Sequence, residues 1–406
     1  MRTVLIITVS ISLIIVSSIY STDYPNIILR ICNILGYGRT IPKVEKTIRI
    51  GVLGAANIAG LALIWPSKYI PTVEITTIAA RSKQRAQAYA EQKGIPRVLD
   101  NYDDLINDPD IDAIYNPLPN SHHYEWTIKA IKAGKHVLCE KPFTSNAEEA
   151  ESIAQAIKEQ NTKGGANSPN QRFPGDVVVI EAMHWRMHPL ALRIKEIINC
   201  GALGRILYTT TSMIVPYMPK DDIRFDFSLS GGAMMDVGAY AVSTSRWVSE
   251  QVDDPDYMEP EVLSATADMM PESDNIDTGM QAVLKYPNGV ISNIKCSLWG
   301  GLKISPSISI VGDKGSLYVY NFVFPSAYHY LTVRDVNQTE YTEKVYGHGG
   351  PTFRYQLDAF SKVVRGEIKD WKSVGMPTIQ DSITNMKVID MIYQKSGLGK
   401  RARRKF

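Results

Sequence analysis

The sequence predicts two successive folding units: an α/β domain built on a parallel sheet, then an α+β domain with a large, mainly antiparallel open sheet covered by helices on one face. Three observations predict it. From residue 48 onward, short apolar runs alternate with helical segments of about ten residues, the rhythm of strands crossed over by helices. Beyond about residue 176 the helices thin out and strand follows strand, with YPNG and GDKG carrying the turn chemistry of hairpins. Between the two lies NTKGGANSPNQRFPGD, a Gly, Pro and Asn-rich stretch over residues 161–176 that reads as a surface loop.

The elements follow in order. IRIGVL is a buried strand, and the residues after it open a helix. EITTIAA, RVLD, IDAIYNP and HVLCE are further strands, separated by the helical segments SKQRAQAYAEQKG, DDLIND and HHYEWTIKAIKAG; AEEAESIAQAIKEQN is a helix after them. In the second unit VVVIEAMHW, RILYTTTSMIV, VLSATADMM, TGMQAVLKY, GVISNIKCSL, SISIVGD and GSLYVYN are strands. GGAMMDVGAYAVSTSRWVSE, TFRYQLDAFSKVVRG and TIQDSITNMKVIDMIYQKS are the helices expected on one face of that sheet. The resulting division is 48–165 for the first domain and 166–397 for the second, with a basic tail, 398–406, expected to be solvated and frayed.

Composition narrows the function. The chain has 406 residues, 44% of them hydrophobic and 21% charged, with a formal net charge of +2. That balance gives no reason to expect nucleic acid as a partner. Four cysteines, Cys32, Cys139, Cys200 and Cys296, lack metal-ligand spacing, so neither zinc nor a disulfide framework is expected. Residues 3–20 carry no charge and are long enough to cross a bilayer, so a hydrophobic anchor or signal segment is expected over 1–22 and a connector over 23–47. Arg30, Arg39, Lys43 and Lys46 after the segment outnumber Arg2 before it, which places the catalytic domains on the cytosolic side of the membrane. The sequon at Asn337 favours the alternative, the lumen of the secretory pathway.

The turn after the first strand bears most of the functional reading. A dinucleotide-binding Rossmann unit shows G-x-G-x-x-G here, whereas this chain has Gly54, Ala55, Ala56, Asn57, Ile58, Ala59. Alanine adds one methyl where a slightly displaced pyrophosphate leaves room, and the backbone N–H groups at the helix start remain to bind the anion. At the end of the second strand an NAD site would present an acid. This chain presents Arg81, Ser82, Lys83 and Arg85 instead, which suit an adenosine 2′-phosphate and point to NADP.

Lys141, in Glu140-Lys141-Pro142 at the carboxyl end of HVLCE, is expected to face the nicotinamide crevice and stabilise a substrate alkoxide. Asp236 and Tyr240 stand one helical turn apart in GGAMMDVGAY. Lysine, carboxylate and phenol make a proton-transfer set, in which the cation is expected to lower the phenol pKa. In EAMHWRMHP, His184 is the better of two histidines for the substrate side.

IGVLGAANIA, NPLPNSHHYEWTIKAIKAGKHVLCEKP, EAMHWRMHP and DDIRFDFSLSGGAMMDVGAY, in this order and spacing, resemble the Gfo/Idh/MocA oxidoreductases, most of all the branch of dihydrodiol dehydrogenases and NADP-dependent D-xylose 1-dehydrogenases. The resemblance spans roughly residues 48 to 397. It implies that Lys141, Tyr240 and Asp236 are catalytic, and that Pro117, Leu118, Asn120, His123, Glu140 and Arg186 contact the cofactor beside Gly54, Ala55, Ala56, Asn57, Ile58, Arg81, Ser82 and Arg85. His184, Asp236 and Tyr240 would meet the substrate. It also implies a homodimer formed through the open sheet. Histidine stands where the dihydrodiol enzymes carry tryptophan in EAxWxR, which predicts a more polar pocket and favours a sugar over an aromatic diol. The expected activity is oxidation of the anomeric hydroxyl of an aldose such as D-xylose. A trans-dihydrodiol dehydrogenase is the alternative, and a non-catalytic NADP-binding regulator is the alternative of another class.

Overall fold

The computed structural model describes residues 40–162, 172, 173, 175–250, 259–271, 273–301 and 305–402. The apolar stretch 3–20, most of the connector and most of the expected loop 161–176 lie outside them. Among the described residues no helix is long and apolar enough to cross a membrane.

The first domain is a six-stranded parallel sheet in the order β3-β2-β1-β4-β5-β6. Its strands are β1 (Ile48–Leu53), β2 (Val73–Ala79), β3 (Arg97–Leu99), β4 (Ala113–Asn116), β5 (His136–Cys139) and β6 (Val179–Glu181). The order reverses between β1 and β4, which places a crevice at their carboxyl ends, where open α/β sheets bind ligands. The crossovers are α1 (Asn57–Ala59, continued by a π-helical turn Gly60–Ile64 and by Trp65–Ser67), α2 (Lys83–Lys93), α3 (Tyr102–Asn107) and α4 (His123–Lys132). Helix α5 (Ala147–Thr162) follows β5. Strand β6 falls within VVVIEAMHW, expected in the second sheet, yet it pairs in parallel with β5. The residues after it form a 3-10 turn, His184–Met187, rather than a strand end.

The second domain holds an eight-stranded sheet in the order β14-β13-β12-β11-β7-β10-β9-β8. These strands are β7 (Ile206–Ile214), β8 (Glu261–Met269), β9 (Asp277–Lys285), β10 (Ile291–Ser297), β11 (Ser307–Gly312), β12 (Gly315–Tyr320), β13 (Tyr330–Asp335) and β14 (Glu340–Glu343). All neighbours are antiparallel except β7 and β10. Between the two sheets in sequence runs α6 (Pro189–Asn199). Helix α7 begins as a π-helical turn, Met234–Gly238, and continues as Ala239–Ser249. With α9 (Ile379–Lys395) it covers one face, where Val242, Val248, Ile389 and Ile392 share a core with Met280, Ile294 and Ile308. Burial alternates along β10 and β11, as a half-buried sheet requires.

Helix α8 (Thr352–Val364) corrects an expectation. It packs on the first sheet, not the second: Phe353, Leu357 and Phe360 join Ile48, Ile50 and Val52 in one buried cluster. Burying each such side chain contributes about 1.5–3 kcal/mol, so the far end of the chain helps hold the nucleotide domain together. The basic tail is also corrected, because Arg401 is buried and ion-paired with Asp277 rather than solvated.

Candidate active site

The altered fingerprint is explained by backbone geometry. Gly54 has φ +80°, and a Cβ there would meet Leu118 Cδ2 at 2.9 Å, so this first glycine is required. Ala56 (φ −82°, ψ 137°) and Ala59 (φ −60°, ψ −30°) stand where the second and third glycines would, in conformations open to any L-residue. Ala55, Ala56 and Ile58 are half-buried and Asn57 is exposed, which leaves the start of α1 accessible. Ser82 caps α2, its hydroxyl accepting from Arg85 N at 3.3 Å. Arg81 and Arg85 are exposed beside it with no ion-pair partner among the described residues, at the positive end of a helix where cations are unfavourable without an anion.

Around the β4 and β5 ends the side chains mostly hold backbone. His123 is buried, with Nδ1 2.8 Å from Pro142 O and Nε2 2.7 Å from Leu118 O, and burial pushes its pKa down to about 4. It therefore ties the Pro117-Leu118 loop to the turn that bears Lys141, with both ring nitrogens engaged by backbone carbonyls. Glu140 is likewise enclosed: it accepts from Tyr115 Oη at 2.7 Å and from Lys141 N at 3.3 Å, and burial raises its pKa. Asn120 donates to Ser230 O at 2.9 Å, joining the two domains across the crevice. Arg186 is not brought to the crevice either; its guanidinium pairs with Asp381, which also binds Arg246 at 2.8 Å.

Three residues do converge. Lys141 Nζ lies 2.5 Å from Asp236 Oδ1 and 3.2 Å from Asp236 O, and sits 4.7 Å from the centroid of the Tyr240 ring. The other Asp236 oxygen accepts from Arg224 Nε at 2.8 Å, and Arg224 reaches Asp222 at 3.0 Å. Burial opposes the Asp236 charge, but Lys141 and Arg224 outweigh it and hold the carboxyl well below the usual range. The ammonium and carboxylate remain 13% and 16% exposed, so a ligand in the crevice can reach both.

Tyr240 is different in kind. Burial first, then the charges of Glu140, Asp236 and Glu181, push its phenol well above the usual value, which corrects the expectation that the lysine lowers it. Its hydroxyl lies 2.9 Å from His184 Nε2, and His184 Nδ1 lies 2.7 Å from Thr352 Oγ1. Burial, with the charge of Lys141, drives His184 well below its usual pKa, so the imidazole is neutral. His184 is wholly buried against Phe353, ring centroids 4.0 Å apart, and so backs Tyr240 instead of lining the pocket. The polar pocket expected from this histidine therefore loses its basis. The reading of the sequence assigned no role to Arg224, Tyr115 or Thr352. Arg224 alone carried a signal, the cation in DDIRFDF just ahead of the Asp236 helix.

Residues 48–167 match the oxidoreductase family with an NAD-binding Rossmann fold named Gfo/Idh/MocA, and residues 191–318 match its C-terminal domain. The chain belongs to the Gfo/Idh/MocA family. It is 34% identical over 249 residues, 61% of this chain and 68% of the relative, to D-xylose 1-dehydrogenase (NADP(+)) 2 of Haloferax volcanii. To the trans-1,2-dihydrobenzene-1,2-diol dehydrogenase of Oryctolagus cuniculus it is 27% identical, over 60% of this chain and 66% of the relative. Among solved structures, a 3-ketoreductase from Actinomadura kijaniata in complex with NADP and TDP-benzene superposes with a TM-score of 0.72 at 25% identity, covering 86% of this chain and 98% of that one. Gfo/Idh/MocA membership makes the protein an NADP-binding oxidoreductase, and the relatives named above act on a sugar or a diol. The expected membrane anchoring and membrane localisation stand corrected on the described residues alone, among which no helix is long and apolar enough to cross a bilayer; the segment expected to anchor, 3–20, lies outside them.

Proposed function

We propose that this Gfo/Idh/MocA protein is an NADP-dependent dehydrogenase that oxidises the anomeric hydroxyl of an aldose such as D-xylose to the lactone. The observation that carries the reading is the Lys141, Asp236 and Arg224 array, paired charges open to the crevice whose donors and acceptors suit neighbouring sugar hydroxyls. The residues at the cofactor site fit NADP: a required glycine at the turn, an accessible helix start, and two guanidiniums at the end of β2. NADP supplies the nicotinamide carbon that accepts hydride.

In this mechanism Lys141 hydrogen-bonds the anomeric oxygen and stabilises its growing negative charge. Asp236, kept ionised by its two cations, aims Lys141 and accepts a hydrogen bond from an adjacent hydroxyl. Tyr240 takes the substrate proton as the phenolate, held by a hydrogen bond from the neutral His184 Nε2–H, whose Nδ1 accepts from Thr352 Oγ1. In the reducing direction the protonated phenol is already the acid. A trans-dihydrodiol is the second reading, favoured by a ledge of Tyr217, Trp299 and Phe225, the last adjoining Arg224 in sequence. A non-catalytic regulator is disfavoured by the assembled Lys141, Asp236 and Tyr240. A second copy of the chain would cover the open sheet face, where Tyr208 and Tyr318 are exposed.

The test is NADPH formation by the full chain with D-xylose, D-glucose and a trans-dihydrodiol, each with NADP and with NAD. Turnover of an aldose with NADP supports the proposal. Turnover of the diol alone moves it to the second reading, and silence across the panel with NADPH still bound sinks both.

A further inference from the structure

Among the described residues the most enclosed ion pair outside the mechanism joins the segment after the last helix to the second sheet. Arg401 and Asp277 have side chains 1% and 0% exposed, with Arg401 Nη2 2.9 Å from Asp277 Oδ1 and 3.0 Å from the Tyr393 hydroxyl. A guanidinium is seldom buried this deeply for packing alone, since stripping its charge of water is unfavourable before any contact is made. The guanidinium also lies over the Tyr393 and Phe227 rings, 4.1 and 5.0 Å from their centroids, and its hydrogen bonds, with those of Asp277, meet on one stretch of backbone. Arg401 Nε donates to Gly231 O at 2.9 Å, and the other Asp277 oxygen accepts from Met234 N at 2.7 Å. Gly232 lies between them at φ +128°, and a Cβ there would fall 2.2 Å from Asp277 Oδ1 and 2.6 Å from Arg401 Nη2. Asp236 N in turn donates to Gly232 O at 3.0 Å, and Asp236 O accepts from Lys141. The pair thus grips the backbone at both ends of the segment that leads into Asp236. The tail itself is anchored, because Asn146 donates to Arg401 O at 3.0 Å.

We propose that Arg401 is a positioning residue: through Asp277 and Gly231 it sets the π-helical turn that presents Asp236 to Lys141, so the carboxyl-terminal segment is a strap on the active site. The inference rests on the reading of Lys141 and Asp236 as reacting groups. It predicts that residues 402–406 are dispensable and that Arg401 is not.

The experiment compares full chain, a chain ending at Arg401, and the double variant Arg401→Met with Asp277→Asn. The double variant removes both charges while the amide oxygen introduced by Asp277→Asn still accepts from Met234 N, because replacing a buried pair as a unit is often neutral for stability. Hydrogen–deuterium exchange over residues 231–240 and NADPH affinity are measured beside turnover. The proposal predicts wild-type behaviour for the chain ending at Arg401. For the double variant it predicts an unchanged melting temperature, NADPH affinity within twofold, at least tenfold faster exchange over 231–240, and a fall in kcat of at least tenfold with KM for the cofactor unmoved. Exchange and kcat equal to wild type in the folded double variant overturn it. So does a loss of NADPH affinity and melting temperature together with kcat, which marks a general packing role. The exchange measurement decides the strap even where the wild-type chain turns over no sugar, an outcome that would count against the proposed reaction alone.

Discussion

Replacing Tyr240 by phenylalanine removes one oxygen and tests the proton path. The ring stays where it is, beneath Lys141 Nζ at 4.7 Å, so the cation keeps its aromatic face. What is lost is the hydroxyl 2.9 Å from His184 Nε2. Leaving that buried nitrogen without its partner costs about 1–3 kcal/mol of stability. The kinetic loss is larger, since positioned general acid–base catalysis contributes about 10²- to 10⁴-fold, or ~3–5.5 kcal/mol at 1.36 kcal/mol per decade. Cofactor affinity is predicted to hold, because the Tyr240 hydroxyl bonds to His184 and not to the start of α1. The assay is steady-state NADPH formation with the accepted aldose, alongside NADPH titration by fluorescence. A Tyr240→Phe enzyme within threefold of wild-type kcat, with cofactor affinity unchanged, would refute the assignment and leave the phenol as packing.

Other outcomes follow from neighbouring groups. Lys141→Met leaves NADP affinity nearly intact and lowers kcat by about 10²- to 10³-fold, checked by the same two assays; undiminished turnover removes Lys141 from the mechanism. Arg81→Asp raises KM for NADP and shifts the kcat/KM preference toward NAD, and an unshifted ratio would mean that the phosphate is held elsewhere. Burial pushes Glu181 from 4.5 up to about 7. Its stabilising contribution is therefore complete below pH 4.5 and is lost as pH rises through 7, a span worth about 3 kcal/mol. Glu181→Gln is predicted to flatten chemical-denaturation stability across that window, and parallel curves for the two proteins would contradict the shift.

Much of the first domain was legible because its signals are local. Buried four- to seven-residue strands, a required glycine at position 54 and a polar helix between them leave few alternatives, and the parallel order follows from the crossovers. The second sheet was legible strand by strand except at its edge. Within β14 the segment EYTE is polar and exposed, so its alternation carries no signal; β13, YLTVRD, does alternate, with Leu331 and Val333 buried, and is missed in spite of that short signal. What failed was partnership at a distance. Nothing local tells VVVIEA to pair with β5, or sends Phe353, Leu357 and Phe360 to the first sheet. The same limit governs the site. Lys141, Asp236 and Tyr240 were placed correctly as neighbours, because two lie one turn apart and the third ends a strand. His123, Glu140 and Arg186, expected at the cofactor, are each held by buried polar partners that sequence spacing does not show. Arg401 looked like a frayed cation for the same reason: its carboxylate partner stands 124 residues away.

The central claim is that hydride leaves the anomeric carbon for the nicotinamide beside Lys141 and Tyr240. The most direct measurement uses D-xylose deuterated at C1, with NADP and the full chain, and reads the cofactor by mass spectrometry. The account predicts one deuterium in the reduced cofactor and none on the lactone carbon. Deuterium retained by the sugar while NADPH forms would place the oxidation at another carbon and contradict it.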